Sequence, residues 1–288
     1  MNRNSKWRHI SLSEKIFTVG THAIIGLWTL LIIVPIWYVF MVTFSADISL
    51  DFRLWPSEFT LMHYQTIFNT GMIVTPLMNS VYVTTVSVLI SMVATTMIAY
   101  PLARKSLVGV SFLNFLIVFP MMWRLGLLPG YMLTVDLGLM NSYWALILPG
   151  AITTTNILIL RNFYSGIPDS LIESAQIDGA SEMTILWKIM IPLSKPSIAS
   201  VALFYMVDNW NEYFNVVLYI RDRSRQTLQV ILRQIVMENE NASGLMAGVY
   251  ATHIQYAVVV VAMIPIMAVY PFVQRYFTKG VLMGSVKG

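Results

Sequence analysis

The sequence predicts an all-α, polytopic membrane protein with six transmembrane helices, and three observations carry that expectation. Of 288 residues, 57% are apolar and 11% charged, with a mean hydropathy of +0.67. Soluble domains carry about 25% charged residues, so this chain lacks the polar surface of a water-soluble enzyme. No Asp, Glu, Lys or Arg occurs in 16–46, 59–103, 106–123, 137–160 or 241–274. Lys and Arg crowd into alternate connections between these stretches.

A bilayer core of about 30 Å takes about 20 residues of helix at 1.5 Å each. Spans are therefore expected at 17–42, 78–102, 107–123, 142–160, 197–219 and 249–273. The third is short, and the fifth is interrupted by Asp208 and Glu212. Arg3, Lys6, Arg8 and Lys15 ahead of the first run look like the start of a signal peptide. A signal h-region is only about 7–15 residues long, whereas this run reaches Ala46 and includes Trp28, Trp37 and Tyr38. It reads as a retained first span.

Orientation follows from the basic residues of the connections. With the N-terminus inside, the cytoplasmic segments hold 12 Lys and Arg: four in 1–16, then Arg104, Lys105, Arg161, Lys188, Lys195, Arg275, Lys279 and Lys287. The outer segments hold six: Arg53, Arg124, Arg221, Arg223, Arg225 and Arg233. Both termini are expected in the cytoplasm, with 220–248 an outer loop that breaks the charge rule. The net charge of +4 is thus mostly topology, and nothing points to nucleic acid.

Several chemistries drop out. With 0 cysteines, disulfides, thiolate metal sites and Cys nucleophiles are excluded. His9, His22, His63 and His253 have no metal-ligand spacing, and no G-x-x-x-x-G-K-[ST] loop is present to hold ATP phosphates. No metal or cofactor is expected in this chain; nucleotide energy would come from a partner.

The connection 161–195 is the most informative stretch. Ser170-Leu-Ile-Glu173 fits a capping box with Ser170 at N-cap and Glu173 at N3. Gly179 suits a left-handed helix end, and a second helix from Ser181 to Met190 is expected to break before Pro192 and Pro196. Periodicity alone allows this hairpin to lie on the membrane surface.

Its spelling says more. Glu173-Ser174-Ala175, three residues, Gly179, nine residues, then Ile189-x-Ile191-Pro192 resembles the EAA loop of ABC-importer permeases. That pattern is E-A-A, three residues, G, nine residues, I-x-L-P; Ser174 and Ile191 depart from it. Ile177-Asp178-Gly179-Ala180-Ser181 is similar to the sugar-importer branch, and Gly284-Ser285-Val286-Lys287-Gly288 to the tail of maltose-type permeases. Trp55-Pro56, Asn79-Ser80, Ala99-Tyr100 and Leu137-Gly138-Leu139 with Asn141 extend the likeness over nearly the whole chain.

The resemblance implies a type I ABC importer permease fold and one permease domain over 1–288. In that reading 161–195 is a cytoplasmic coupling loop that docks on an ATPase through Glu173, Ser174, Ala175, Asp178, Gly179, Ile189 and Pro192. A tail at 274–288, with Gln274, Arg275 and Lys287, would reach between two ATPase subunits, where ATP and Mg are held. Further partners implied are a second homologous permease, an extracytoplasmic sugar-binding protein and the bilayer of a bacterial or archaeal inner membrane. The chain itself is expected to be no enzyme.

Polar chemistry at membrane depth is concentrated in Asp208-Asn209-Trp210-Asn211-Glu212-Tyr213. The two acids stand at i, i+4, one helical face. Ionisable groups at the bilayer centre cost about 2.5–3.5 kcal/mol on insertion scales and normally face a cavity or a partner. Trp210 could then stack on a sugar ring; the competing reading places the group at the outer interface. The family segment reads W-N-E-F-x-x-P, and Val216 stands at the proline position.

The downstream residues Tyr219, Asp222, Leu228-Gln229 and Leu232-Arg233 look most like the branch serving complex polysaccharide fragments. In maltose-type relatives the outer loop enters the binding protein's sugar cleft. Arg221, Arg223, Arg225 and Arg233 there are odd for a neutral sugar, and guanidinium pairs well with carboxylate. The expectation is an importer of oligosaccharides, possible cargoes being uronates such as alginate or pectin fragments, with neutral oligosaccharides the alternative. A rival class is a proton-coupled secondary transporter with Asp208 and Glu212 as relay.

Overall fold

The computed structural model describes residues 12–47, 52–56, 58–104, 107–123, 126–240 and 245–284. The helices are α1 Leu12–Val42, α2 Met62–Asn69, α3 Val74–Ala103, α4 Val110–Met122, α5 Leu127–Asp136, α6 Trp144–Ile147, α7 Thr154–Tyr164 and α8 Asp169–Ile177. They continue with α9 Glu182–Ile185, a π-helical turn Leu186–Met190, α10 Ile191–Leu193, α11 Lys195–Trp210, α12 Phe214–Tyr219, α13 Leu228–Glu240 and α14 Leu245–Gly284. Among the described residues there is no strand, only an isolated bridge between Ser45 and Phe59. The all-α expectation holds.

The chain divides into two units, Met1–Asn69 with Met237–Val260 and Thr70–Val236 with Val261–Gly288. In the first, α1 is apolar on every side and largely exposed, as a helix bathed in lipid should be. Thr18, Thr21 and Thr29 donate their hydroxyls to carbonyls four residues back, so no polar group of theirs is left to lipid. Beyond α1 the chain is held by aromatic pairs, Phe44 stacked on Phe59 and Tyr38 on Phe52. Burial holds the His63 imidazole of α2 below its ordinary pKa; its ring lies 5.1 Å from that of His253.

In the second unit, α3 packs against α7 and α11 around Ala99, Tyr100, Leu102, Ile157, Leu160 and Tyr205. Ser80, Thr84, Ser87, Ser91 and Thr95 are buried along α3, and their small size lets the neighbouring backbones approach. The hairpin that follows α7 does not simply lie on a surface. Ile172 of α8, Ile185 of α9 and Leu186 of the π turn enter the same core.

Among the described residues, three helices, Ser13–Val42, Val74–Ala103 and Thr252–Pro271, are long and apolar enough to cross a membrane. Two bent pairs, Val110–Met122 with Leu127–Asp136 (112°) and Glu182–Leu193 with Lys195–Trp210 (85°), raise the number to as many as five. The expected fourth span, 142–160, is no continuous helix: Pro149-Gly150 lies in a break between α6 and α7. The expected fifth ends at Trp210 and restarts at Phe214. This break forms without the family's proline, because the Glu212 carboxylate accepts from both the backbone N–H and the side-chain amide of Asn215 (3.0 Å each), satisfying an N–H that opens α12.

Two local expectations are corrected. Ser170 is not an N-cap: α8 begins at Asp169 with Pro168 at the cap position and no side-chain cap bond. Proline holds the residue ahead of the helix extended (φ −59°, ψ 130°), and the Asp169 carboxylate then meets the positive helix end. The serine cap belongs to the next helix, where Ser181 accepts from the Thr184 N–H at 3.3 Å. Nor does Pro192 end the second helix. The wider π turn directly ahead of it relieves the clash of its ring with the preceding turn, and the break falls at Ser194.

Gly179 ends its helix in the left-handed region, as expected from its position. With φ +78°, it accompanies bonds from Gly179 N to Gln176 O (3.0 Å) and from Ala180 N to Ala175 O (2.9 Å). These are the two bonds of a Schellman ending. A side chain meets open space there, so the penalty is backbone strain alone, about 1–2 kcal/mol for an L-residue. Gly179→Val should therefore speed hydrogen exchange across residues 175–181, and Gly179→Asn should do so less. Unchanged exchange in the valine variant would contradict the assignment.

Candidate functional site: a polar cavity and a helical hairpin

The sequence singles out a sextet at the end of α11, and the structure divides it. A cavity of about 230 Å³ is lined by Gly150, Thr153, Tyr205, Asp208, Asn209, Glu212 and Asn215, among others. That is below the roughly 300–1,000 Å³ of common small-molecule pockets. Asp208 and Glu212 both reach it, although α11 ends between them. Asn209 folds its amide onto the Tyr205 carbonyl (2.7 Å), and Asn211 folds onto Val207 (2.9 Å). Trp210, Asn211 and Tyr213 are not among the lining residues; Trp210 is 5% exposed. Tyr213 instead lies under the Arg233 guanidinium, 4.5 Å from its ring centre.

The 221–228 segment is pinned by residues whose role was not legible. Asn141, at φ +57°, accepts through its side chain from the backbone N–H groups of Arg221 (3.1 Å) and Asp222 (2.9 Å). Asn79 donates its amide to the carbonyls of Ser224 and Gln226 (2.8 and 2.9 Å), and Ser80 accepts from Leu228 N–H (2.9 Å). The one available signal was an Asn after Gly138, a residue that tolerates the left-handed region.

These bonds sort the four arginines. Arg225 donates to the Asn141 carbonyl and lies 3.7 Å from the Asp222 carboxylate. Ser224, through its hydroxyl and backbone N–H, holds Asp222 below the usual carboxylate range. Arg233 is committed to Tyr213. Arg221 and Arg223 are exposed and have no carboxylate partner among the described residues.

On the hairpin, Glu173, Ser174, Asp178, Gly179 and Pro192 are exposed, while Ala175 and Ile189 are half-buried. Beside them stand large exposed apolar groups that were not among the expected docking residues: Leu171 (46%), Ile177 (86%) and Trp187 (57%). Tyr100 and Glu182 form a hydrogen bond, and Glu182 also accepts from Gln176 at 2.9 Å. Of the tail residues, Gln274 and Arg275 fall on α14 but their side chains, like all of Lys287, lie outside the described residues. No cluster of metal-ligating groups occurs among the described residues.

The model of the family described as binding-protein-dependent transport system inner membrane component matches residues 14–283. The chain belongs to that family. It is a permease subunit, integral to the membrane, and not an enzyme; ATP hydrolysis takes place in a separate ATPase subunit. The permease is 40% identical over 286 residues to the polygalacturonan/rhamnogalacturonan transport system permease protein YtcP of Bacillus subtilis (strain 168), covering 96% of this chain and 100% of the relative. It is 32% identical over 237 residues to the arabinooligosaccharides transport system permease protein AraQ of Halalkalibacterium halodurans, with 81% of each chain covered. A crystal structure of a bacterial ABC transporter involved in the import of the acidic polysaccharide alginate matches with a TM-score of 0.84 and 30% identity, covering 93% of this permease and 99% of that chain. The fold is that of an ABC importer permease, and membership of this family leaves no ground for the proton-relay rival.

Because Asp208 lines the cavity and Trp210 does not, Asp208→Cys in this cysteine-free permease should react with a hydrophilic thiol reagent about tenfold faster than Trp210→Cys, reactivity following exposure. Equal rates would show that the cavity is closed to water.

Proposed function

We propose that this permease is one of two transmembrane subunits of a binding-protein-dependent ABC importer whose cargo is a uronate-containing oligosaccharide. The observation that carries the cargo class is the exposed pair Arg221 and Arg223, without carboxylate partners on a turn pinned by Asn79 and Asn141. Guanidinium groups hold a carboxylate by two parallel hydrogen bonds. The names of the 40% relative and of the alginate importer, both concerned with acidic polysaccharides, support the same cargo.

Asp208 and Glu212 would repel an anionic sugar. Glu212 is turned onto Asn215 as a helix cap, which leaves Asp208 as the one exposed carboxylate of the pair at the cavity. In this reading the five or fewer continuous and bent spans, with the broken segment α6–α7, make six crossings with both termini cytoplasmic. The segment 220–248 faces the binding protein. The hairpin 161–195 faces the ATPase, where Glu173, Ser174, Asp178 and Gly179 with Leu171, Ile177 and Trp187 form the docking surface, and the tail 274–288 reaches the ATPase pair.

The test is ATPase stimulation of the reconstituted complex, with its binding protein, by a panel of uronate and neutral oligosaccharides. Uronates should stimulate, and the effect should weaken as salt rises. Stimulation by neutral sugars alone, arabino-oligosaccharides among them, would overturn the cargo class. Arg221→Gln with Arg223→Gln should raise the half-saturating uronate concentration about 2- to 30-fold, at roughly 0.2–1 kcal/mol for each of the two exposed pairs, and leave basal ATPase activity unchanged.

A further inference from the structure

One carboxylate ties the hairpin to the end of α3. Glu182 is the first residue of α9, directly after the Schellman turn and the Ser181 cap. Its Oε2 accepts from the Tyr100 hydroxyl on the last turn of α3. Its Oε1 accepts from Gln176 on α8 at 2.9 Å and faces the Arg104 guanidinium, just past α3, at 3.6 Å. Tyr100 and Arg104 stand four residues apart, with the guanidinium 5.8 Å over the phenol ring. The Arg104 side chain is only 16% exposed, and its Nη1 has no hydrogen-bond acceptor among the described residues. Thus both arms of the hairpin and α3 converge on the same two oxygens.

The placement has mechanical meaning. A cavity of about 440 Å³ opens beside the cluster, walled by Met97, Pro101, Leu107, Met183 and Leu186. Apolar packing there leaves room for α3 and the hairpin to slide, whereas directional bonds to a charged acceptor resist sliding. Glu182 makes no use of Glu173, Asp178 or the other residues of the docking surface.

We propose that Glu182 is a positioning residue for transport: its carboxylate couples the hairpin to α3, so that displacement of the docked hairpin moves α3 with it. The proposal rests on the permease reading above. Glutamine at 182 keeps the shape but loses the charge and one acceptor oxygen, so the three donors can no longer all be satisfied. In the complete complex with its binding protein, Glu182→Gln should retain assembly and basal ATPase activity. Sugar-dependent ATPase stimulation and uptake should fall together about tenfold, with the half-saturating sugar concentration unchanged. Tyr100→Phe, which removes one donor and leaves the charge, should show a smaller fall of the same kind. The double variant should be no worse than Glu182→Gln. Wild-type-like stimulation in Glu182→Gln would overturn the proposal. Were that variant to fail to assemble, normal stimulation in Tyr100→Phe would overturn it instead. Absence of sugar-stimulated ATPase in the wild-type complex would sink the oligosaccharide-importer reading, a result separable from failure of the tie alone.

Discussion

The Tyr205 hydroxyl, 1% exposed as a residue, lies 2.7 Å from the Thr95 hydroxyl of α3 and accepts from the backbone N–H of Thr153 at the start of α7. Three helices, α3, α7 and α11, are joined at that atom. In lipid the hydrophobic effect does not drive helix against helix, so close packing and buried polar contacts must hold them. The cavity depends on this junction. Tyr205 and Thr153 line it, and Asp208 and Asn209 follow one turn further along α11, with the Asn209 amide bonded back to the Tyr205 carbonyl.

From that junction α3 serves two ends of the permease. Near its start, Asn79 and Ser80 take up backbone groups of 224–228, and Val83 joins Leu146, Val216 and Val230 in a second core. At its other end, Tyr100 and Arg104 meet Glu182 of the hairpin. Between them lie the buried hydroxyls of Thr84, Ser87 and Ser91, which have no hydrogen-bond partner among the described residues. A helix of 30 residues is about 45 Å long at 1.5 Å each, enough to link groups on opposite sides of a bilayer as one rigid element.

Two breaks in the helical backbone share one cavity. Non-helical backbone at membrane depth persists only where protein or a water-filled cavity satisfies its polar groups. The turn at Asn211–Tyr213 and the α6–α7 break meet this condition together, since Gly150 and Thr153 from one and Glu212 from the other line a single cavity. Glu212 supplies the missing bond to Asn215 that a regular helix would have provided.

Much of this was legible in the residues. The helical class follows from charge-free runs of span length, the Schellman glycine from Gly179 between two amphipathic stretches, and the family from the spacing of Glu173, Gly179 and Pro192. Each of these depends on neighbours within a few turns or on composition, which a linear sequence displays. Tertiary structure alone decided the rest. It split the sextet so that Asp208 and Glu212 line the cavity while Trp210 is buried, and left Arg221 and Arg223 without the partners that Arg225 and Arg233 have found. Those outcomes turn on contacts between residues such as Asn141 and Arg221, or Tyr100 and Glu182, about 80 positions apart, and the partner of a polar side chain at that separation is set by packing rather than by spacing.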